Sequence, residues 1–207
     1  MKRQLNTLAG MVGPILFLSI FTLEGWLRPG YASMRMYVSE LSNGPHGWIQ
    51  IANFILLGLL FLAFKYGVAA EFKDGKASKA GPMLLAIIGA SFLLSGPFIT
   101  DPATIFLQMS WHGMLHGIFG AIVFSLAPVS CFVFFRRFRE DQKWQLLQWW
   151  TLAVGVLLVA LVILLKMAQL PTALRQWAGL IQRMTLITYL GWIFAFARVL
   201  YERSRQG

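Results

Sequence analysis

Cysteine and several common motifs are scarce or missing in this chain, and each absence narrows its class. Cys131 is the only cysteine among 207 residues, so no internal disulfide can form. The sequence has no Gly-rich phosphate loop and no Rossmann fingerprint, which removes the usual nucleotide-binding motifs. It also has no strand-like alternation, internal repeat or low-complexity linker, so we expect a single helical domain over residues 1–207.

Long apolar segments dominate the sequence instead. Hydrophobic residues make up 57% of the chain and charged residues only 13%. A helix needs about 20 residues to cross a bilayer core, and lipid requires that backbone groups be satisfied within each segment. We therefore predict an all-α polytopic membrane protein, a compact bundle of six transmembrane helices. The predicted spans are residues 5–27, 48–64, 82–99, 113–135, 146–165 and 180–200.

The positive charge is unevenly divided between the two sides of this bundle. Of 18 lysines and arginines, 13 lie at the termini and in the second and fourth loops. The positive-inside rule then places both termini in the cytoplasm and the first, third and fifth loops outside the plasma membrane. The net charge of +10 therefore indicates topology and contact with membrane lipids, and no nucleic-acid partner is expected. All three histidines fall on the predicted outer side.

The first outer loop, residues 28–47, is the longest and carries a helical pattern. Met34, Tyr37, Val38 and Leu41 recur at helical spacing within it. The pattern predicts a short amphipathic helix, either at the membrane interface or in the mouth of the bundle.

Polar side chains on the same loop suit the recognition of a phosphate or carboxylate group. They are Arg35, Ser39, Glu40 and Ser42, with His46 following at the end of the loop. A nucleophilic Ser39 would need a base, and His46 or His112 could serve. The spacing alone does not choose between binding and catalysis.

His112 and His116 lie four residues apart at the outer end of span four. This spacing places both rings on one helical face, where they could hold one zinc ion, with Asp101 or His46 as a third ligand. A metalloprotease motif would carry a glutamate between the histidines, and this sequence has Gly-Met-Leu there. The alternative is a pair of hydrogen-bonding histidines at the interface.

Three neighbouring features of the outer side have structural interpretations. The Asp101-Pro102 pair is typical of a helix start, with the carboxylate as the cap. The small residues of Gly113-x-x-x-Gly117 favour close approach of another helix. Arg183, near the outer end of span six, must reach the interface, pair with an acid, or bind an anion such as a lipid phosphate. Its candidate acidic partners are Glu24, Glu40 and Asp101.

Short motifs run along nearly the whole chain. They are residues 36–42 with Asn43-Gly44-Pro45, the span containing Asn53, Gly96-Pro97-Phe98 before Asp101-Pro102, the histidine pair, and residues 179–183. Together they resemble the family called domain of unknown function 998, whose members are small, mostly prokaryotic membrane proteins with about six spans. The resemblance implies a shared outer site at the matching residues, Ser39, Glu40, Asp101, His112, His116 and Arg183.

Three functions follow from this polar cluster. In the first, which we favour because the metal pattern lacks a compelling third ligand, Arg35 and Arg183 bind a lipid headgroup or a small anion. In the second, the protein is a zinc-dependent hydrolase of a lipid amide or ester, with Glu40 as base and Ser39 or Arg183 at the oxyanion. The residue types also resemble those of ceramidase-like membrane hydrolases. The third, a small-solute transporter, is disfavoured because the spans have almost no ionisable groups near mid-membrane.

Overall fold

The computed structural model describes residues 2–102 and 109–206, and six α-helices make up most of that part of the chain. They are α1 Lys2–Leu27, α2 Gly47–Glu71, α3 Ala80–Ser95, α4 Trp111–Glu140, α5 Gln145–Ala168 and α6 Ala178–Gln206. Three short 3₁₀ helices lie between them, at Val38–Ser42, Gln142–Trp144 and Ala173–Trp177. The described residues contain no strand, and the predicted all-α class is confirmed.

Membrane-compatible helices are confirmed as the basis of the fold. Within the described residues, five helices are long and apolar enough to cross a membrane, and α3 is apolar but shorter, with 16 residues. The chain is therefore an integral membrane protein whose apolar surface contacts lipid. Helix α3 ends at Ser95, before the predicted residue 99. Gly96 still has helical backbone angles, and Pro97 after it has no N–H with which to continue the helical hydrogen bonds. Helix α2 runs past its predicted end at residue 64 to Glu71.

The helices pack in chain order, and the last closes on the first. Each helix contacts its successor, and α6 packs against α1. Helices α2 and α3 cross most closely at glycines. A Cβ atom at Gly58 would lie 2.5 Å from the backbone nitrogen of Leu93 and 2.6 Å from the carbonyl oxygen of Gly89. Any larger side chain at Gly58 would force these two backbones apart.

The two ends of the bundle carry different groups of residues, and each end is named here after the group that it carries. The histidine end carries residues 28–46, the start of α4 and the start of α6. The terminal end carries both chain termini. Arg3, near the N-terminus, and Arg203, near the C-terminus, both pair with Glu71 there. Aromatic rings fill the core near the terminal end, where the ring centroids of Phe134 and Phe196 lie 4.8 Å apart.

The first loop folds into the mouth of the bundle. Its helical part is a 3₁₀ helix of five residues, Val38–Ser42, shorter than the amphipathic pattern, and all five residues are buried. Glu40 Oε1 accepts a hydrogen bond from the backbone N–H of Tyr37 at 2.8 Å and so caps the helix start. The backbone N–H of Val38 donates to Gln182 Oε1 of α6 at 2.7 Å. This segment therefore lines the inside of the histidine end.

Candidate ligand-binding site at the histidine end

Arg183 ties the first loop to α6. Its Nη1 donates to the backbone carbonyl oxygens of Ser33 and Met36, at 2.6 and 2.9 Å, and to that of Gly179 at 3.0 Å. Its Nη2 donates to the hydroxyl of Tyr31. The expected partners were carboxylates or a phosphate, and these acceptors are instead loop carbonyls and a phenol. Most of the hydrogen-bonding capacity of Arg183 is therefore spent on holding the loop.

A second arginine closes the same loop nearer the start of α2. Arg28 Nη1 donates to the carbonyl oxygen of Asn43 at 2.9 Å. Its Nη2 pairs with Glu24 Oε1, on a side chain of α1 that is itself buried. Glu24, one of the acids expected to pair with Arg183, therefore pairs with Arg28 instead. Two guanidinium groups thus fix the conformation of residues 28–43.

Two tyrosines of this loop stay neutral over the physiological pH range. Burial raises the pKa of Tyr31, against the lowering effect of Arg183. Burial also raises the pKa of Tyr37, and the nearby Glu40 carboxylate raises that pKa further. Both phenols are therefore hydrogen-bond donors at pH 7.

His116 is buried and has a fixed orientation. Its Nδ1 lies 2.7 Å from the carbonyl oxygen of Phe98 and 3.1 Å from that of Ser95. Carbonyl oxygens only accept, so Nδ1 carries the hydrogen and donates it. The ring also meets Phe54 edge-on, with centroids 5.7 Å apart. These contacts hold one edge of the imidazole and leave Nε2 on the other.

Asp101 packs against the start of α4. The helix that Asp101-Pro102 is expected to open would lie in residues 103–108, outside the described residues. Asp101 Oδ2 accepts from the backbone N–H of Ser110 at 2.8 Å, and Ser110 Oγ accepts from the N–H of Gly113 at 3.0 Å. A Cβ at Gly113 would lie 2.0 Å from Asp101 Oδ2, so this glycine makes room for the carboxylate.

The helix contact predicted at Gly113-x-x-x-Gly117 is wrong. Gly113 meets the Asp101 carboxylate, and a Cβ at Gly117 would find no atom of the described residues within 4 Å. The same holds for Gly120, one turn further along α4. The small residues of α4 therefore border open space at the histidine end instead of a helix crossing.

The geometry adds no support to the predicted zinc site. Within residues 2–102 and 109–206, no three His, Cys, Asp or Glu side chains lie close enough together to hold a metal ion. The His112 ring packs on Trp111 and Phe98, with centroids 3.6 and 6.0 Å away. His46 is exposed at the start of α2. Zinc binding by His112, His116 and Asp101 stays a prediction.

A cavity of about 170 Å³ lies between the first loop and helices α2 to α6, and we call it the histidine cavity. Its apolar walls are Phe54, Phe92, Val123, Phe124, Val162, Leu165 and Leu186. Its polar lining includes Tyr37, Ser39, Ser95, Thr100, His116, Lys166, Gln169 and Gln182. Gly117 and Gly120 form part of the same wall, which explains the open space beside them.

A larger cleft of about 580 Å³ adjoins this cavity, and we call it the arginine cleft. Arg35 from the loop and Arg175 from the Ala173–Trp177 helix line it, together with Glu40. Tyr37 lines both the cleft and the cavity, so the two spaces are neighbours. The sequence indicates only that Arg175 is a positive charge on the outer side, because no pattern along the chain relates it to Arg35.

The candidate residues from the sequence thus divide into three groups. Arg35 and Glu40 line the arginine cleft, and Ser39 and His116 line the histidine cavity. Arg183 and Asp101 hold structure around them. Ser42, His46 and His112 line neither space.

The chain belongs to the family described as protein of unknown function (DUF998), whose model matches residues 11–199. This match confirms the family that the sequence motifs resemble. No curated protein and no solved structure shows significant similarity to the chain.

Proposed function

We propose that this member of the DUF998 family binds an anionic amphiphile, a lipid headgroup with the adjoining part of its lipid, at the histidine end. The observation that carries the proposal is that Tyr37 lines both the arginine cleft and the histidine cavity, so the two spaces lie side by side. A small anion would use only the cleft, and an apolar molecule only the cavity. An amphiphile uses both, and the volume of the cleft is in the usual range for a small-molecule site.

Arg35 is the residue that we assign to the anionic group. Its side chain is exposed in the cleft and makes no hydrogen bond or ion pair with the described part of the chain. A guanidinium can donate two parallel hydrogen bonds to a phosphate or carboxylate. Arg175 adds a second positive charge, so two cations face the single carboxylate of Glu40 in this cleft.

Arg183 has a positioning role in this proposal. It holds the carbonyl oxygens of Ser33 and Met36, which flank Arg35 in the chain. The sequence placed Arg183 among the ligand contacts, whereas here it fixes the backbone from which Arg35 projects.

We further propose that all six helices cross the plasma membrane as one domain, with both termini in the cytoplasm. Helix α3 joins the terminal end of α2 to the histidine end of α4, although its 16 residues extend only roughly 24 Å. Local thinning of the bilayer or the adjoining residues 96–99 can complete the crossing. The arginine cleft then faces the extracytoplasmic side, because most lysines and arginines lie at the terminal end.

Lipid binding by single-arginine variants tests the ligand assignment. We expect Arg35→Ala to weaken the binding of an anionic lipid about tenfold, as loss of one charge-assisted contact implies. Arg139→Ala is the matched control, since it removes the same charge from an exposed position at the terminal end. Native mass spectrometry of the purified chain with anionic and zwitterionic lipids measures both. Equal binding by the two variants would contradict the assignment.

Cysteine labelling in whole cells tests the topology. In a Cys131→Ser background, His46→Cys and Arg139→Cys each place one thiol at an exposed position, at opposite ends. We expect a membrane-impermeant maleimide to label His46→Cys in intact cells and Arg139→Cys only after lysis. The reverse pattern would invert the proposed orientation.

A further inference from the structure

We infer that the histidine cavity binds a hydroxyl group of the ligand, between His116 and Ser39. The inference rests on the proposed function and names the chemistry of the part of the ligand next to its anionic group. Nothing in the anion-binding role of the arginine cleft requires this hydroxyl.

The first observation is the unused edge of His116. The Nδ1–H donates to Phe98 and Ser95, so Nε2 of the neutral ring is an acceptor. Nε2 makes no hydrogen bond to the described part of the chain, although the residue is only 7% exposed and lines the cavity. The His116 side chain is largely enclosed but Nε2 is accessible from the cavity, so a ligand group that donates to it would form a hydrogen bond with little competition from water.

The second observation is the hydroxyl of Ser39 on the same cavity. Ser39 is also 7% exposed, and its Oγ makes no hydrogen bond to the described residues. A serine hydroxyl both donates and accepts. The cavity therefore presents one pure acceptor and one group that can donate, both on largely buried side chains.

The chemistry of these two groups selects a neutral hydroxyl. An alcohol O–H can donate to His116 Nε2 while its oxygen accepts from Ser39. A carboxylate or phosphate oxygen would face the lone pair of Nε2, and a methyl group would leave both side chains unpaired. An ammonium group would lose its hydration in a cavity whose walls are mainly aromatic and aliphatic.

The position of the cavity relates this hydroxyl to the anion. Tyr37 lines both spaces, so the hydroxyl lies beside the group bound by Arg35. A headgroup in which a phosphate carries a short polyol has this arrangement. Phosphatidylglycerol is the simplest probe, and phosphatidylpropanol is its match, with the same charge and three-carbon headgroup but neither headgroup hydroxyl.

Competition between these two lipids tests the inference on the full chain in nanodiscs. We expect the wild-type chain to prefer phosphatidylglycerol about tenfold, the worth of one buried hydrogen bond to a partner that would otherwise be unpaired. His116→Asn can keep the donor toward Phe98 but lacks the Nε2 acceptor, and should abolish the preference. His116→Gln places an amide oxygen near the Nε2 position and should restore much of it. Ser39→Ala should reduce the preference in part.

The outcomes separate the inference from the proposed function. If Arg35→Ala weakens both lipids equally but wild type does not distinguish them, the hydroxyl site is overturned and anion binding stands. If neither lipid binds better than a zwitterionic one, anion binding fails. The hydroxyl site is then tested with two uncharged probes, 1-tetradecanol and its methyl ether, which differ in the hydroxyl group. Thermal stabilisation by the alcohol alone, lost in His116→Asn, would support it, and equal effects would overturn it.

Discussion

Rings fill the interior of the bundle near the terminal end, whereas the histidine cavity, the arginine cleft and most of the unpartnered polar side chains lie at the histidine end. Phe138 stacks on Trp144 with centroids 5.1 Å apart, and Phe196 contacts both rings. At the histidine end, within the described residues, four buried side chains carry a polar atom that has no hydrogen-bond partner. These atoms are Glu24 Oε2, Ser42 Oγ, Gln50 Nε2 and Asn53 Oδ1.

Unpartnered nitrogens also occur at the terminal end, on Arg3 and Arg137. At both ends, most of these side chains have another polar atom that is paired: Arg3 pairs with Glu71, Arg137 with Asp74 and Asp141, Glu24 with Arg28, and Asn53 with the carbonyl oxygen of Phe17. An unpaired buried polar atom costs about 1–3 kcal/mol. Packing alone would favour apolar residues at such positions, and four of the six such atoms in the described residues lie at the histidine end.

Truncation of one aromatic side chain at each end should give the largest difference in stability between the two ends. Phe196→Ala should destabilise the protein by roughly 3–5 kcal/mol, because its fully buried ring packs among six other aromatic residues, which cannot all move to fill the space it leaves. Phe124→Ala removes a half-buried ring that already borders the histidine cavity, so its cost should be far smaller. Unfolding in mixed micelles, followed by circular dichroism, measures both. Equal losses would show that the ends are packed alike.

Loss of the loop anchor is the next largest effect. Arg183→Ala leaves the carbonyl oxygen of Ser33 without its donor and removes the shorter of two side-chain hydrogen bonds to that of Met36, and should cost roughly 2–3 kcal/mol. Hydrogen exchange of residues 31–43 should accelerate with it. Arg198→Ala is the counterpart at the terminal end, where it removes one exposed ion pair with Glu202, so the loss should be smaller. Unchanged loop exchange in Arg183→Ala would show that other contacts hold the loop.

The helices could be predicted because bilayer thickness and apolar length constrain them directly. The α1 and α5 helices lie within a few residues of the predicted spans. The ends of α2 and α3 were less predictable, since polar residues can continue a helix beyond the membrane, and Gly96-Pro97 ends one within an apolar run. Length and hydropathy carry no information about either effect.

The site could be predicted in composition but not in geometry. Arg35, Ser39 and His116 were chosen as outer polar residues and do line the two spaces. The carbonyl acceptors of Arg183 and the proximity of Arg175 to Arg35 depend on how distant segments fold together. Neighbouring residues in the sequence do not encode those contacts, so no motif could have shown them.

Two polar-to-apolar substitutions give the smallest effect and the most direct test of the contrast. Thr151 Oγ1 accepts from Trp192 Nε1 at 2.9 Å, so Thr151→Val leaves a buried donor unpaired and should cost about 1–2 kcal/mol. Gln50→Leu removes the unpartnered Nε2 and also Oε1, which accepts from Asn53 Nδ2 at 3.2 Å, while Asn53 keeps its bond to the carbonyl oxygen of Phe17. Relief of the unpartnered Nε2, about 1–3 kcal/mol, should outweigh that one bond, worth about 0.5–1.5 kcal/mol, so the stability should be unchanged or higher in the same unfolding assay. A loss as large as that of Thr151→Val would mean that Nε2 also has a partner, such as a buried water, and that the polarity of the histidine end contributes to its stability.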